Sequence, residues 1–223
     1  MTAQVRERYA ALRSDIDAQA RRVGRSPADL TLVGVSKKQP PELVAAAIEA
    51  GLADIGESYV QEAAAKFGGL PAVRKHYIGH IQTNKAKRIV ELFDIVQSVD
   101  REEAARALAR AAASAGKVLP VLLQLNISPA ERFGARPEAA DRLAETIRAE
   151  PSLRLEGLMA IGPDTDDPAE IAQAFELAAK TFARIGGSTL SIGMSGDWRE
   201  AVRAGSTMLR IGTGLFGRRQ GAR

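Results

Sequence analysis

The stretch Thr31-Leu32-Val33-Gly34-Val35-Ser36-Lys37-Lys38-Gln39-Pro40 decides how the rest of the chain is read. Its first five residues are a short, β-rich apolar run. A serine, two lysines and a Pro40-Pro41 step follow before a helical pattern begins. A lysine in that position sits at the carboxyl end of a buried strand, where α/β folds carry their chemistry. Its amine is a candidate Schiff-base former. Strand alternation does not choose between Lys37 and Lys38, because the residues on both faces of this strand are apolar or small.

Working outward, the same unit recurs: a short apolar strand, a polar turn and a helical pattern. Strands are predicted at 31–36, 54–58, 76–80, 95–100, 120–126, 155–161, 189–195 and 208–213. Helical segments follow at 41–50, closed by Gly51, and at 60–67, closed by Gly68-Gly69. A further one covers 101–115, with Asp100 placed to cap its start and Gly116 to end it. Segments 137–149 and 168–185 each open on a proline, as a first helical turn permits, and 197–204 is closed by Gly205. Ahead of all these, residues 2–24 repeat Val5, Tyr9, Leu12, Ile16 and Ala20 at helical spacing, up to Gly24.

Strands alternating with helices predict a parallel sheet, and eight is the number that closes into a barrel. Val121-Leu122-Leu123-Gln124-Leu125 is apolar along consecutive residues, as strands covered on both faces require. The expected architecture is a single (β/α)8 TIM barrel domain over residues 1–223, with the barrel at 31–217 and an extra N-terminal helix at 1–24. That helix would fill the gap left by the short segment after strand eight. A doubly wound open sheet is the rival, needing only five or six of these strands.

Composition narrows the chemistry. The 223 residues are 45% hydrophobic and 26% charged, the balance of an ordinary globular chain. No run approaches the ~20 apolar residues that span a bilayer, and the charged N-terminus lacks the apolar core of a signal peptide. The expectation is a cytoplasmic protein with no membrane contact. The absence of cysteine excludes disulfides, thiolate metal sites and cysteine nucleophiles. With only His76 and His80, a histidine metal site would need a carboxylate cluster that the sequence does not offer. The net charge of +4 is dispersed apart from the tail Gly217-Arg218-Arg219-Gln220-Gly221-Ala222-Arg223, read as a solvated end. Aromatic residues at 4% leave little for base stacking, so no nucleic-acid partner is expected.

Positions just past the strand ends are the candidate site: Lys37, Ser58 and Tyr59, His80, Asn126, 159–162, Ser195 and Gly196, and 210–214. The last two groups combine glycines with hydroxyls at turns into helices. Glycine lets backbone N–H groups approach an anion, hydroxyls add donors, and Arg210 adds a charge. A phosphate cup facing a lysine points to pyridoxal phosphate (PLP), whose aldehyde condenses with an amine.

These segments together resemble the pyridoxal phosphate homeostasis protein family. Val35-Ser36-Lys37 followed by Pro40 is similar to its cofactor-lysine motif and favours Lys37 over Lys38. Ile55 to Glu62 and His76 to Lys85 are similar to its second and third motifs, and Gly157 to Ile161, Gly193 to Asp197 and Gly205 to Thr213 complete the set. The resemblance implies an alanine racemase N-terminal-domain-like barrel holding PLP on Lys37. It implies phosphate contacts from Ser195, Gly212 and Thr213, Arg210 near the phosphate or pyridine ring, and Ser58 beside the cofactor. The implied role is a carrier or regulator of vitamin B6 and amino-acid pools without established turnover; PLP-dependent apo-enzymes are candidate partners, and a monomer is expected.

Two departures stand out: Ser58 where the family usually has asparagine, and Phe133 where a lysine more often precedes the glycine. His80 and Asn84 either face the cofactor mouth or a partner, or cap the next helix. Met159 and Met194 are read as packing. The alternative is a PLP-dependent amino-acid racemase. That chemistry needs a second acid–base group on the opposite cofactor face, usually delivered by an additional domain, and the chain's only tyrosines are Tyr9, Tyr59 and Tyr77. RNA binding through the basic tail ranks last.

Overall fold

A computed structural model describes residues 1–128, 130 and 132–217. Pro129, Glu131 and the basic tail from Arg218 lie outside the described residues. Eight parallel strands close into a barrel in sequence order: β1 (Thr31–Val35), β2 (Asp54–Glu57), β3 (Arg74–Tyr77), β4 (Ile95–Val99), β5 (Leu119–Asn126), β6 (Leu153–Ile161), β7 (Thr189–Ser191) and β8 (Met208–Ile211). Closure is made where β1 meets β8, with Thr31 opposite Met208 and Gly34 opposite Ile211. The open-sheet alternative is thereby excluded.

The outer ring is α2 (Pro41–Glu49), α3 (Val60–Phe67), α4 (Ala86–Leu92), α5 (Glu102–Ser114), α6 (Ala140–Arg148), α7 (Pro168–Ile185), α8 (Trp198–Arg203) and the single turn α9 (Thr213–Phe216). The N-terminal helix α1 (Thr2–Arg22) packs against α2, α8 and α9 and so covers the place that a longer eighth helix would take. Its buried face is Val5, Ile16, Gln19 and Ala20, and Tyr9 donates to the carbonyl of Gly51 at 2.8 Å. Between barrel and helices lies a continuous core in which Ile55, Ile89, Leu108, Leu123, Ile147 and Phe175 are fully buried. Each such side chain contributes about 1.5–3 kcal/mol relative to exposure. Among the described residues no helix is long and apolar enough to cross a membrane.

Several sequence boundaries move for local reasons. β7 stops at Ser191, not at 195, because Gly193 turns the chain at φ 98°. A side chain there would lie 2.5 Å from the Ala201 Cβ, so the turn packs directly on α8. β3 begins earlier and ends earlier than expected, running from the exposed Arg74 at the rim to Tyr77. α4 is an addition that the sequence reading lacked. The expected cap by Asp100 is corrected: Arg101 occupies the N-cap of α5 without a side-chain cap, and Asp100 instead pairs with the Arg101 guanidinium at 2.6 Å. Pro137 opens a 3-10 turn at Pro137–Ala139 that leads into α6.

Candidate functional site

The loop after β1 is clamped on both sides of Lys37. Before it, the Ser36 N–H donates to the carbonyl of Gly56 at 3.0 Å, and the Ser36 hydroxyl donates to Glu57 Oε1 at 2.8 Å. After it, the Lys38 N–H donates to Glu62 Oε1 at 2.5 Å, which holds Lys38 in a left-handed conformation at φ 59°. That conformation costs a non-glycine residue about 1–2 kcal/mol, so the clamp offsets a real strain. Behind the loop, the Lys66 ammonium, 4% exposed, donates to the Ser36 carbonyl at 2.7 Å, to Glu57 Oε1 at 2.5 Å and to Glu62 Oε1 at 3.0 Å. Burial pushes the Glu57 carboxyl above its ordinary range, and the hydrogen bond from Lys66 opposes that shift. Lys37 is half-buried at the rim, whereas Lys38 points to solvent.

The two glycine-rich turns meet. The Gly214 N–H, in the first turn of α9, donates to the Ser195 hydroxyl at 3.2 Å. Gly212 lies against Val35, with 3.6 Å between its Cβ direction and the Val35 Cβ and carbonyl. Ser195 and Gly212 are half-buried, and Thr213 and Gly214 are exposed. β1 neighbours β8, and Lys37 lies two residues past Val35, so the lysine and the hydroxyl-and-amide turn occupy the same end of the barrel.

Arg210 sits below that rim, 3% exposed. Its Nη1 donates to the Ser191 carbonyl at 2.6 Å and hydroxyl at 2.7 Å, and its Nη2 donates to the Ala160 carbonyl at 2.7 Å. Burial lowers its pKa to about 10, with the Asp197 carboxylate opposing the shift. The guanidinium therefore remains charged at neutral pH.

Across the mouth, over the ends of β3, β5 and β6, opens a cavity of about 640 Å³ lined by His80, Gln124, Asn126, Arg132, Phe133 and Arg136, among others. The His80 ring stacks on Phe133 at 4.0 Å between centroids. His80 thus faces the mouth and caps no helix, since Lys85 holds the N-cap of α4 without a side-chain bond. Asn84 lies elsewhere, in a groove between α3 and α4 with Gln61, Lys85 and Lys87. Ser58 is half-buried, its backbone so close to Gly79 that a Cβ there would lie 2.0 Å from the Ser58 carbonyl. Tyr59 is 53% exposed. Met159 is core, as its reading as packing expects.

The sequence reading did not single out Arg132, Arg136, Glu57 or Lys66. For Glu57 and Lys66 a signal existed: a glutamate inside a four-residue buried strand demands a cation. For the two arginines there was none, because only the path of the loop after β5 brings them to the mouth.

The donor set fits PLP. Ser195, Thr213 and the amides opening α9 suit a phosphate, Arg210 supplies a buried cation, and Lys37 supplies an amine.

Residues 8–220 match the family model described as alanine racemase, N-terminal domain. The pyridoxal phosphate homeostasis protein of Pseudomonas aeruginosa is 41% identical over 221 residues, covering 96% of each chain. That of Escherichia coli is 39% identical over 225 residues, covering 94% of each. The structure of PipY from Synechococcus elongatus, solved with PLP bound, superposes with a TM-score of 0.84 at 33% identity, covering 96% of this chain and 100% of that one. Barrel, motifs and near full-length identity agree: the chain belongs to the pyridoxal phosphate homeostasis protein family, built on the alanine racemase N-terminal-domain fold.

Proposed function

We propose that this protein binds PLP as a Schiff base on Lys37, carries or buffers it for PLP-dependent apo-enzymes, and so regulates vitamin B6 and amino-acid homeostasis in the cytoplasm as a monomer. The observation that carries the reading is the clamped loop presenting Lys37 beside the Ser195–Gly214 turn at one barrel rim. Bound there, PLP supplies an aldehyde. That aldehyde would condense with the Lys37 amine, with loss of water. Ser195, Gly212 and Thr213 would hold the phosphate, Arg210 would lie near the phosphate or the pyridine ring, and Ser58 would lie beside the cofactor.

A carrier without turnover suits Tyr77 and Tyr9. Tyr77 is buried, donates to the His80 carbonyl at 2.8 Å and has its pKa pushed up to about 12 by burial, so its phenol is committed to that bond and gives up its proton less readily than in water. Tyr9 is bonded to Gly51 on the far side of α2. Racemisation of alanine or serine at enzymatic rates would overturn this part of the reading.

The test of the binding reading is the visible absorbance of protein incubated with PLP, followed by borohydride reduction and peptide mass mapping. The expected result is a band that reduction bleaches, with the mass of reduced PLP on the Lys37 peptide, lost in Lys37→Ala and kept in Lys38→Ala. PLP trapped on another lysine in the unsubstituted protein would refute it.

A further inference from the structure

The barrel interior holds a polar chain that the binding reading does not use. The Arg210 guanidinium donates to the Ser191 hydroxyl at 2.7 Å, and that hydroxyl donates to Gln97 Oε1 at 2.7 Å. The Gln97 amide nitrogen donates to His76 Nδ1 at 2.8 Å, and His76 Nε2 lies 2.8 Å from Asp54 Oδ1. Ser191, Gln97, His76 and Asp54 are all buried, with His76 fully inaccessible. These residues come from β8, β7, β4, β3 and β2, so the chain crosses the barrel from side to side.

Its direction is fixed by the two groups that have no choice. A guanidinium can only donate, and an amide nitrogen can only donate. Ser191 therefore receives from Arg210 and passes its own proton to Gln97. His76 Nδ1 must accept, which leaves the proton on Nε2 and aims it at the Asp54 carboxylate. Each link is polarised the same way, from a buried cation to a buried anion, and hydrogen bonds in such a series strengthen one another in a low-dielectric interior. Asp54 is in turn held by the Arg74 guanidinium at 2.8 Å, at the opposite rim. A packing role alone would ask only for apolar side chains at His76 and Gln97, as at neighbouring Val96 and Val121.

We propose that His76 and Gln97 are positioning residues for the cofactor site: through Ser191 they fix the orientation of the Arg210 guanidinium below the Lys37 rim. The proposal rests on PLP binding at Lys37. It makes an imidazole in the β3 strand a determinant of how the cofactor is held, and the Nε2-protonated neutral tautomer of His76 the state that does so.

The test uses full-length protein with PLP added, and two substitutions that divide the imidazole between them. His76→Asn keeps an acceptor near the position of Nδ1, and His76→Gln keeps a donor near the position of Nε2 but loses the acceptor for Gln97. The expected result is a shifted absorbance maximum for bound PLP and roughly tenfold weaker PLP binding in His76→Gln, the lower end of what outer-shell partners contribute at metal sites. His76→Asn is expected to lie near the unsubstituted protein. In a Ser191→Ala background, His76→Gln is expected to add nothing further, because the chain is already cut. A folded His76→Gln protein with unchanged spectrum and affinity would overturn the proposal, as would independent, multiplicative effects of the two substitutions. Nitrogen-15 chemical shifts of His76 in the unsubstituted protein provide a readout free of any folding loss: protonation on Nδ1 would overturn it. A missing PLP band in the unsubstituted protein would overturn the binding reading and this one together, whereas a normal band indifferent to His76 would overturn this one alone.

Discussion

Two buried polar clusters lie within one barrel and solve the problem of internal charge in opposite ways. Behind the Lys37 loop, Lys66 touches Glu57 and Glu62 directly at 2.5 and 3.0 Å. Across the interior, Arg210 and Asp54 are kept apart by three neutral links, Ser191, Gln97 and His76. Charges in contact offset each other's desolvation by Coulomb attraction, whereas Arg210 relies on aligned dipoles that lead to Asp54, itself paired with Arg74 at the rim. The first cluster ends on backbone, at the Ser36 carbonyl and the Lys38 N–H, and so holds a loop. The second links side chains from five strands and anchors Arg210 on the Ser191 and Ala160 carbonyls as well, and so holds an orientation. Stability should reside mainly in the first and ligand geometry mainly in the second.

The largest effect that could break this contrast is at Lys66. Lys66→Met strands the Glu57 carboxylate in the interior, where Glu57 Oε2 already has no hydrogen-bond partner among the described residues. The expected loss is about 3–5 kcal/mol in urea unfolding without PLP. Its pH dependence has a definite sign. Burial already raises the folded-state pKa of Glu57 above the ordinary 4.5, and removing Lys66 deletes the interactions that lower it. The folded variant therefore takes up a proton more readily than the unfolded chain. The stabilisation from that proton is complete below the unfolded pKa and disappears as pH rises through the folded pKa. The deficit of Lys66→Met should be greatest at neutral pH and shrink toward acid. A deficit independent of pH would mean that Glu57 carries no stranded charge.

Next in size is Gln97→Leu, which removes the middle of the interior chain. It leaves His76 Nδ1 without its donor and the Ser191 hydroxyl without its acceptor, at about 2 kcal/mol for buried groups left unsatisfied. The contrast predicts that this variant, though more stable than Lys66→Met, disturbs bound PLP more per kcal/mol lost. If the two variants scale alike in stability and in PLP affinity, the division of labour fails.

The clusters also mark where the sequence stopped being legible. The strands and the glycine turns at Ser195 and Gly212 were readable because each depends on neighbours within a few residues, and closure followed from the count of eight strand–helix units. The polar contacts depend on residues far apart: Ser191 and Gln97 are 94 positions apart, and Arg210 and Ala160 are 50. No local pattern pairs them. α4 escaped for another reason, being a seven-residue helix with no side-chain cap at its start. Asp54 and Glu57 are carboxylates inside a buried four-residue strand, a signal the sequence reading passed over, and their partners, His76 and Lys66, became visible only once the barrel was closed. The Lys37 assignment came from motif resemblance. What the geometry adds is the asymmetry between a half-buried Lys37 and an outward Lys38 in left-handed backbone.

That asymmetry gives the smallest and most discriminating prediction. Glu62 is the outer partner of Lys66, with its side chain 26% exposed, and it also receives the Lys38 N–H. Glu62→Gln keeps an acceptor oxygen but removes the charge. Solvent screens a partly exposed pair, so the expected loss of stability is about 0.5 kcal/mol, far below that of Lys66→Met. The loop should respond more than the fold does. A weaker hold on Lys38 lets its strained backbone relax, and Lys37, one residue away, loses its fixed aim. Slower Schiff-base formation with PLP at nearly unchanged stability is the expected outcome, measured by stopped-flow absorbance beside a urea curve. If instead Glu62→Gln destabilises the protein as much as Lys66→Met, then Glu57, Glu62 and Lys66 act as one cooperative ion cluster, and the loop is held by the fold's own stability and not by a separable clamp.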